Sequence, residues 1–176
     1  CTTYNHDHPK HQYVVVCLKD QFELVQEDFD DNFAIEEITT VIDGKLRPAV
    51  YGKVKVKSTN KEITHVIGVH LKAAPQFFEV RIKQLDIIKK YISKMNDQLP
   101  VVFLGDLNTH IKELTEQSID DVVMMENSLK ELNFKLVENP FPYTYVMNGE
   151  GKAKLDHAFV SKTVEVLKVE VGTACK

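Results

Sequence analysis

An acid and an amide stand two residues apart where a predicted buried strand ends. The segment "VVFLGDLNTH" places Asp106 and Asn108 directly after Val101–Gly105, an apolar run typical of a strand. A carboxylate suits a hard cation such as Mg²⁺, and an amide can hold a phosphate oxygen or a water. Ligands of open α/β sheets bind beyond the carboxyl ends of strands, where this pair is expected to lie. The alternative is an Asx-turn that simply closes the strand.

A histidine ends a second apolar strand, in the segment "VHLKA". His70 stands immediately before a predicted helix, and Lys72 adds a cation two residues later. A right-handed strand–helix–strand crossover would bring this strand end to the same sheet edge as Asp106. An imidazole at that edge can donate a hydrogen bond to a phosphate oxygen. The alternative is a structural histidine whose hydrogen bonds are satisfied inside the fold.

A further acid opens a later strand, in the segment "KLDHAFVSK". Asp156 follows a glycine-containing loop and stands at the start of an apolar run. An acid in that place could orient a catalytic imidazole, as the acid of a catalytic triad does. The alternative is a strand-end aspartate paired with a lysine.

The rest of the pattern supplies the elements that would hold these side chains. Alternating apolar and charged residues predict a hairpin over residues 50–71, and Pro75 followed by an apolar stripe predicts a helix. A second amphipathic helix is predicted over Ile119–Leu132, and two closing strands over "LDHAFVSK" and "VEVLKVEV". The order of the elements, with strands first and then strands that alternate with helices, predicts an α/β fold with a mixed sheet.

The composition is that of an ordinary globular domain. The 176 residues are 43% hydrophobic and 27% charged with a formal net charge of −4, so no global basic field favours a nucleic-acid partner. No apolar run reaches the roughly 18 residues of a transmembrane helix, so no membrane segment is expected. The three cysteines are odd in number and lack metal-binding spacing, which favours a reducing, intracellular and cytoplasmic location.

In their order along the chain, these segments resemble one superfamily. "HLKA", "VVFLGDLN", "TY" and "KLDHAFVSK" together are similar to the endonuclease/exonuclease/phosphatase superfamily, whose fold is deoxyribonuclease-I-like. "GVHLKAAPQFFEVRIKQ" and "PYTY" resemble its nocturnin and deadenylase branch. The resemblance covers Tyr13 to Val171 and implies an incomplete α/β sandwich of mixed sheets flanked by helices, as one partial domain over residues 1–176.

The resemblance also implies a role for each polar residue of the three segments. Asp106 matches the acid near the metal and the attacking water, and Asn108 matches the amide that holds that water or the scissile phosphate. His70 matches the donor to the phosphate, and Asp156 matches the acid that orients the catalytic histidine.

Further positions match the substrate cleft of the superfamily. Lys72 matches a lysine that contacts a phosphate, and Thr144 and Tyr145 match a loop that lines the cleft. Arg81 and Gln84, in contrast, are expected to pack the helix that follows "HLKA".

Two motifs of the superfamily are not matched: an early "LQE" with the metal-binding Glu and a closing "SDH" with the catalytic His. The chain is therefore expected to begin after the first and stop before the second. "LVQED" at Leu24–Asp28, which contains Glu27, and "HDHP" at His6–Pro9 imitate them in the wrong places. His157 follows Asp156 but occupies a position that normally points into the fold, so a structural role is expected.

The expected function is Mg²⁺-dependent hydrolysis of a phosphodiester or phosphomonoester, with Mn²⁺ as the other suitable ion. The acidic net charge and the nocturnin-like segments favour a nucleotide or an RNA end as the substrate. One alternative is a sphingomyelinase or an inositol-polyphosphate phosphatase of the same superfamily. An alternative of another class is a catalytically incomplete domain that serves as a binding module or scaffold.

Overall fold

Strand pairing organises most of the described chain around one mixed sheet. The computed structural model describes residues 2–3, 15–16, 18–26, 49–95, 98–111, 118–147 and 151–170. Its elements in chain order are β1 (Thr2–Thr3), β2 (Val15–Val16), β3 (Phe22–Gln26), β4 (Ala49–Val56), β5 (Lys61–His70), a 3₁₀ turn (Pro75–Phe77), α1 (Phe78–Lys94), β6 (Val101–Asp106), α2 (Asp121–Lys130), β7 (Phe134–Leu136), β8 (Tyr145–Met147), β9 (Gly151–Ala153) and β10 (Asp156–Ser161). Six strands form one sheet in the order β3-β4-β5-β6-β10-β7, while β1–β2 and β8–β9 form separate pairs.

The predicted hairpin is present as β4 and β5. Val54 is buried, while the lysines on either side of it pair across the sheet with acids of the neighbouring strands. Lys53 Nζ lies 3.4 Å from Glu62 on β5, and Lys55 Nζ lies 2.9 Å from Glu23 on β3. Each such partly exposed ion pair contributes about 0–1 kcal/mol to the free energy of unfolding. Burial of the apolar face therefore stabilises the hairpin more than the ion pairs on its charged face do.

One parallel connection decides where the strand ends meet. After β5 the chain passes through the 3₁₀ turn and α1 and returns as β6, which lies parallel to β5. β10 then pairs with the other side of β6 in the antiparallel direction. The carboxyl ends of β5 and β6 and the first residue of β10 therefore share one edge of the sheet.

The two helices cover one face of this sheet. The predicted apolar stripe of α1 buries Leu85, Ile88 and Ile92 against alternate strand residues, among them Phe103 and Phe159, whose ring centroids lie 6.0 Å apart. Burial of one such side chain contributes roughly 1.5–3 kcal/mol, so packing on the sheet stabilises α1. Within the described ranges, no helix is long and apolar enough to cross a bilayer.

The second face of the sheet is apolar as well. Val50, Val54, Val66 and Val160 are buried, and the alternation of strand side chains points them away from α1. A sheet that is apolar on both faces belongs inside a layered fold. The predicted α/β class with a mixed sheet is therefore confirmed.

Two predicted elements differ from the structure. The closing strand predicted over "VEVLKVEV" is wrong for its described part, because residues 162–170 contain no strand and Leu167 is 86% exposed. β10 already has β6 on one side and β7 on the other, so it offers no free edge for a further strand. The second helix begins at Asp121, two residues later than predicted.

The close approach of β5 and β6 makes a specific demand on Gly105. Its φ is +144°, and a Cβ at this position would lie 2.0 Å from the carbonyl oxygen of Val69. Because backbone strain and the clash add, we expect Gly105→Ala to lower the free energy of unfolding by about 3 kcal/mol or more. Urea denaturation followed by circular dichroism measures this change, and a loss below about 1 kcal/mol would contradict the described β5–β6 contact.

Candidate active site

Three polar side chains stand in one row on three adjacent strands, where β5 and β6 end and β10 begins. His70 is the register partner of Asp106 in the parallel β5–β6 pair, and Asp156 is the partner of Asp106 in the antiparallel β6–β10 pair. Side chains of directly opposed residues share a face of the sheet with Cβ atoms about 4.5–5.5 Å apart. His70 Nε2 lies 3.6 Å from Asp106 Oδ2, which places the ring and the carboxylate within reach of one small anion or water.

The two oxygens of Asp106 have different surroundings. Oδ1 accepts a hydrogen bond of 2.9 Å from the backbone N–H of Asn108, which is the Asx-turn considered as the alternative. Oδ2 faces His70 instead. The turn and the candidate site therefore coexist in the same residue, because each uses one oxygen of the carboxylate.

Asn108 links the turn after β6 to the end of β5. Its φ is +49°, a left-handed conformation that asparagine tolerates better than most residues. The side chain is buried, and its Nδ2 donates to the carbonyl oxygen of Leu71 at 2.9 Å. In return, the N–H of Leu71 donates to the carbonyl oxygen of Asp106 at 2.8 Å. These two bonds fix the loop that follows His70 against the turn that follows Asp106.

Lys72 lies deeper in the fold than a phosphate-binding lysine on an open loop. The residue is 5% exposed, and its Nζ lies 4.3 Å from the ring centroid of Phe77. A cation over an aromatic ring gains about 0.5–2 kcal/mol. A phosphate contact of Lys72 stays a prediction.

Thr144 supports the start of β10. Its Oγ1 accepts hydrogen bonds of 3.0 Å from the backbone N–H groups of Leu155 and Asp156, so it fixes the backbone from which the Asp156 carboxylate projects. Asp156 itself is exposed, and Tyr145 on β8 is 46% exposed. A substrate contact of Thr144 or Tyr145 stays a prediction.

His157 points to the opposite face from Asp156 and is buried, in agreement with the structural role expected of it. Its Nε2 lies 3.0 Å from the carbonyl oxygen of Lys154 and 2.9 Å from Thr109 Oγ1. Because a carbonyl oxygen only accepts, Nε2 carries the hydrogen. Burial lowers the pKa of His157.

Arg81 and Gln84 pack inside the fold, as expected, but they also hold the loop after His70. Gln84 Oε1 accepts from the backbone N–H of Lys72 at 3.0 Å, and Arg81 Nη1 donates to the carbonyl oxygen of Lys72 at 3.1 Å. The sequence pattern gave no sign of the residue that pairs with Arg81, which is Asp121 at the start of α2. A signal for this pairing would have required knowledge of which helix ends meet.

The described residues do not by themselves form a complete metal site. Over the described ranges, no three His, Cys, Asp or Glu side chains are grouped so that they could hold an ion. Asp106 offers one oxygen beyond its turn. Glu27 and the segment His6–Pro9, considered above as imitations of the missing motifs, lie outside the described residues.

Comparison with known proteins gives similarity in structure alone. No family model matches the chain, and no curated protein sequence matches it. The human nocturnin catalytic domain with a bound sulfate anion matches with a TM-score of 0.57 and 17% identity, over 89% of this chain and 56% of its own. The mannosyl-6-phosphatase Bt3783 of Bacteroides thetaiotaomicron matches with a TM-score of 0.55 and 17% identity, over 82% of this chain and 54% of its own.

A third match carries the name of the superfamily. An endonuclease/exonuclease/phosphatase family protein from Bacteroides thetaiotaomicron has a TM-score of 0.55 and 18% identity, over 81% of this chain and 52% of its own. The chain therefore has the deoxyribonuclease-I-like fold of endonuclease/exonuclease/phosphatase proteins, as its motifs indicated. It spans about half the length of the structures it matches.

A buried histidine, His157, and a partly buried one, His110, lie beside the site and make the fold sensitive to acid. Burial lowers the pKa of both His157 and His110, and nearby Arg81 lowers the pKa of His110 further. The unfolded chain therefore takes up protons below about pH 6.5 while the folded chain does not, so stability is lost as the pH falls from there towards the lower folded pKa values. The slope contributed by each histidine is at most about 1.4 kcal/mol per pH unit.

We therefore expect His157→Gln to flatten the loss of stability between about pH 6.5 and pH 5. Glutamine keeps a side-chain N–H that can donate to the Lys154 carbonyl, but it cannot take up the proton. Urea denaturation at a series of pH values measures the slope, and the comparison at pH 8, where both side chains are neutral, isolates the packing cost. An unchanged slope below about pH 6.5 would show that His157 is not kept neutral by the fold.

Proposed function

We propose that the chain forms the catalytic edge of a phosphoester hydrolase. The row of His70, Asp106 and Asp156 on three adjacent strands, with Asn108 just beyond, supports this proposal most directly. It brings a hydrogen-bond donor, acceptors and an amide to one sheet edge, which is the set of groups that phosphoester hydrolysis needs. The shared fold with nocturnin and with a mannosyl-6-phosphatase supports the same reaction class.

The proposed roles follow from the chemistry of each group. A ring N–H of His70 donates to a non-bridging phosphate oxygen, and this hydrogen bond strengthens as negative charge builds up on that oxygen in the transition state. Asp106 Oδ2, which lies 3.6 Å from His70 Nε2, orients the attacking water. Asn108 offers its carboxamide oxygen to the same water, since its Nδ2 is already held by Leu71.

Asp156 acts through an imidazole rather than directly. Thr144 holds its backbone N–H, and its exposed carboxylate is accessible to a histidine ring that it could orient. His157 cannot be that ring because it is buried on the other face. The proposal therefore requires a further histidine, which the superfamily carries in its closing "SDH".

A divalent cation completes the proposed site. Two carboxylates that face a phosphate repel it unless a positive charge lies between them. Mg²⁺, or Mn²⁺, suits carboxylate oxygens and would neutralise the phosphate oxygens when bound. Asp106 is the proposed ligand of this chain, and a second acid such as the superfamily's "LQE" glutamate is needed beside it.

We expect the 176-residue chain alone to bind Mg²⁺ weakly, because one carboxylate leaves the ion most of its waters. Isothermal titration calorimetry measures the affinity, with Asp106→Asn as the matched control that removes the proposed ligand. Micromolar affinity that survives Asp106→Asn would contradict the assignment of Asp106. Micromolar affinity that is lost in Asp106→Asn would show that the chain already holds the second acid, with Glu27 as the first candidate.

The proposed substrate is a nucleotide or the end of an RNA strand. A net charge of −4 does not suit a protein that grips long duplex DNA through its phosphates. The fold of the sulfate-bound nocturnin domain supports a phosphate ligand of this kind. The second candidate is a small phosphomonoester, which the structural match to a mannosyl-6-phosphatase favours.

We expect the chain alone to show little phosphoesterase activity, and a longer protein that adds the metal-binding Glu and the closing His to be active. In that longer protein, Asp106→Ala should lower kcat by about 10²–10⁴-fold, because a positioned catalytic group contributes a factor of that size. His157→Ala should leave kcat nearly unchanged, because its ring faces away from the row.

Release of nitrophenolate from bis(4-nitrophenyl) phosphate and of nucleotide from a short RNA, with Mg²⁺ present, measures both variants. 4-Nitrophenyl phosphate distinguishes a phosphomonoesterase. Loss of activity in a folded His157→Ala variant would show that the catalytic histidine is assigned wrongly. Absence of turnover in the longer protein on all three substrates would favour a binding module over an enzyme.

A further inference from the structure

We propose that Arg81 and Asp121 form a buried clamp that positions both loops of the candidate site. The inference rests on the proposed function, because it assigns to these residues the placement of His70 relative to Asp106. Neither residue touches the row itself, so both are positioning residues.

Arg81 holds the loop that follows β5. It is 0% exposed, and its Nη1 donates to the carbonyl oxygens of Lys72 and Ala74 at 3.1 and 2.7 Å. Gln84, one turn further along α1, accepts from the N–H of Lys72. The backbone that leaves His70 is therefore held by side chains of α1 on both its N–H and its C=O groups.

Asp121 holds the loop that follows β6. Its Oδ2 accepts from the backbone N–H of His110 at 3.0 Å, and its own N–H donates to the carbonyl oxygen of His110 at 3.1 Å. His110 is two residues beyond Asn108. The first residue of α2 thus fixes the chain that leaves the Asp106–Asn108 turn.

One oxygen atom joins these two loops. Asp121 Oδ2 also accepts from Arg81 Nη2 at 2.6 Å, so it receives hydrogen bonds from the Arg81 side and from the His110 side at once. The loop after β5 and the loop after β6 are therefore connected through one buried carboxylate, in addition to the pairing of the two strands. A shift of either loop would break a hydrogen bond in which a charged group takes part.

Burial of the Arg81–Asp121 ion pair costs desolvation free energy that an apolar contact between the two helices would not. Both side chains are 0% exposed, and burial lowers the pKa of Arg81 although Asp121 opposes this. Over the described ranges, the buried side-chain atoms without a hydrogen-bond partner are Arg81 Nε, Gln84 Nε2, His110 Nε2 and Asp121 Oδ1. All four belong to residues that this network joins through a side chain or the backbone. Ala74, which Arg81 holds, has a φ of +76°, where a residue other than glycine is strained.

Apolar pairs of similar size often match the stability of a buried ion pair. A second tie between the same helices exists near their other ends, where Lys89 Nζ lies 3.0 Å from Ser128 Oγ and 3.0 Å from Glu131 Oε2. Stability alone therefore does not explain Arg81 and Asp121, whereas placement of the two loops does.

The test compares the double variant Arg81→Met/Asp121→Leu with Lys89→Met. The double variant removes the clamp and keeps apolar volume, while Lys89→Met removes the other tie between the helices and leaves the loops untouched. Thermal unfolding reports stability, and NMR reports the distance-dependent effect of Asp106 on His70. In the otherwise unchanged chain, Asp106→Asn should change the NMR chemical shifts of the His70 ring, because the two side chains lie 3.6 Å apart. We call this change in chemical shift the His70 response.

We expect the clamp variant to lose at least half of this His70 response while it remains folded, and Lys89→Met to keep it. In the longer protein described above, the clamp variant should lose about tenfold or more in kcat, with a smaller change in KM, because it misplaces groups that act in the transition state. The more conservative Asp121→Asn, which retains one oxygen, should give an intermediate response.

A folded clamp variant with the full His70 response would overturn the proposal. If that variant does not fold, an unchanged His70 response in Asp121→Asn would overturn it instead, and a reduced response would support it. If no protein shows turnover, the proposed function fails, but the His70 response still decides whether the clamp positions the loops.

Discussion

The parallel register between β5 and β6 is the constraint on which the candidate site depends. It places His70 beside Asp106, and the antiparallel β10 adds Asp156 to the same row. A slip of one residue would turn the His70 side chain to the helix-covered face and remove it from the site. Gly105 permits the close approach of the strands, and Asn108 ties the β6 turn to Leu71, so the residues that fix the register lie within the site itself.

Structural and functional interpretations of these residues do not exclude one another. Asp106 closes a turn with one oxygen and faces His70 with the other. Thr144 supports the backbone of Asp156, and Lys72 packs on Phe77 while it belongs to the loop after His70. A residue type suited to a turn can thus also leave an oxygen that faces a neighbouring strand end.

The local sequence pattern was sufficient to predict the main secondary-structure elements and the sheet edge at which the candidate site lies. The hairpin, both helices and the common edge of His70 and Asp106 follow from alternation, helical spacing and the handedness of the crossover. The contact of Arg81 with Asp121 joins residues 40 positions apart and leaves no local pattern. The "VEVLKVEV" strand was predicted wrongly because alternation shows what a strand can bury but not whether the segment pairs with another strand. The strand before it, β10, is already paired on both sides.

Phosphate titration followed by NMR tests the central claim that this sheet edge handles phosphate. Inorganic phosphate with Mg²⁺ should perturb the backbone amides of His70–Lys72, Gly105–Thr109 and Leu155–Asp156 first, and Asp106→Asn should change that pattern. The chain also has a groove of about 870 Å³ that includes Lys135, Lys154 and Lys168. Perturbations confined to that groove, with the three site segments unaffected, would contradict the account.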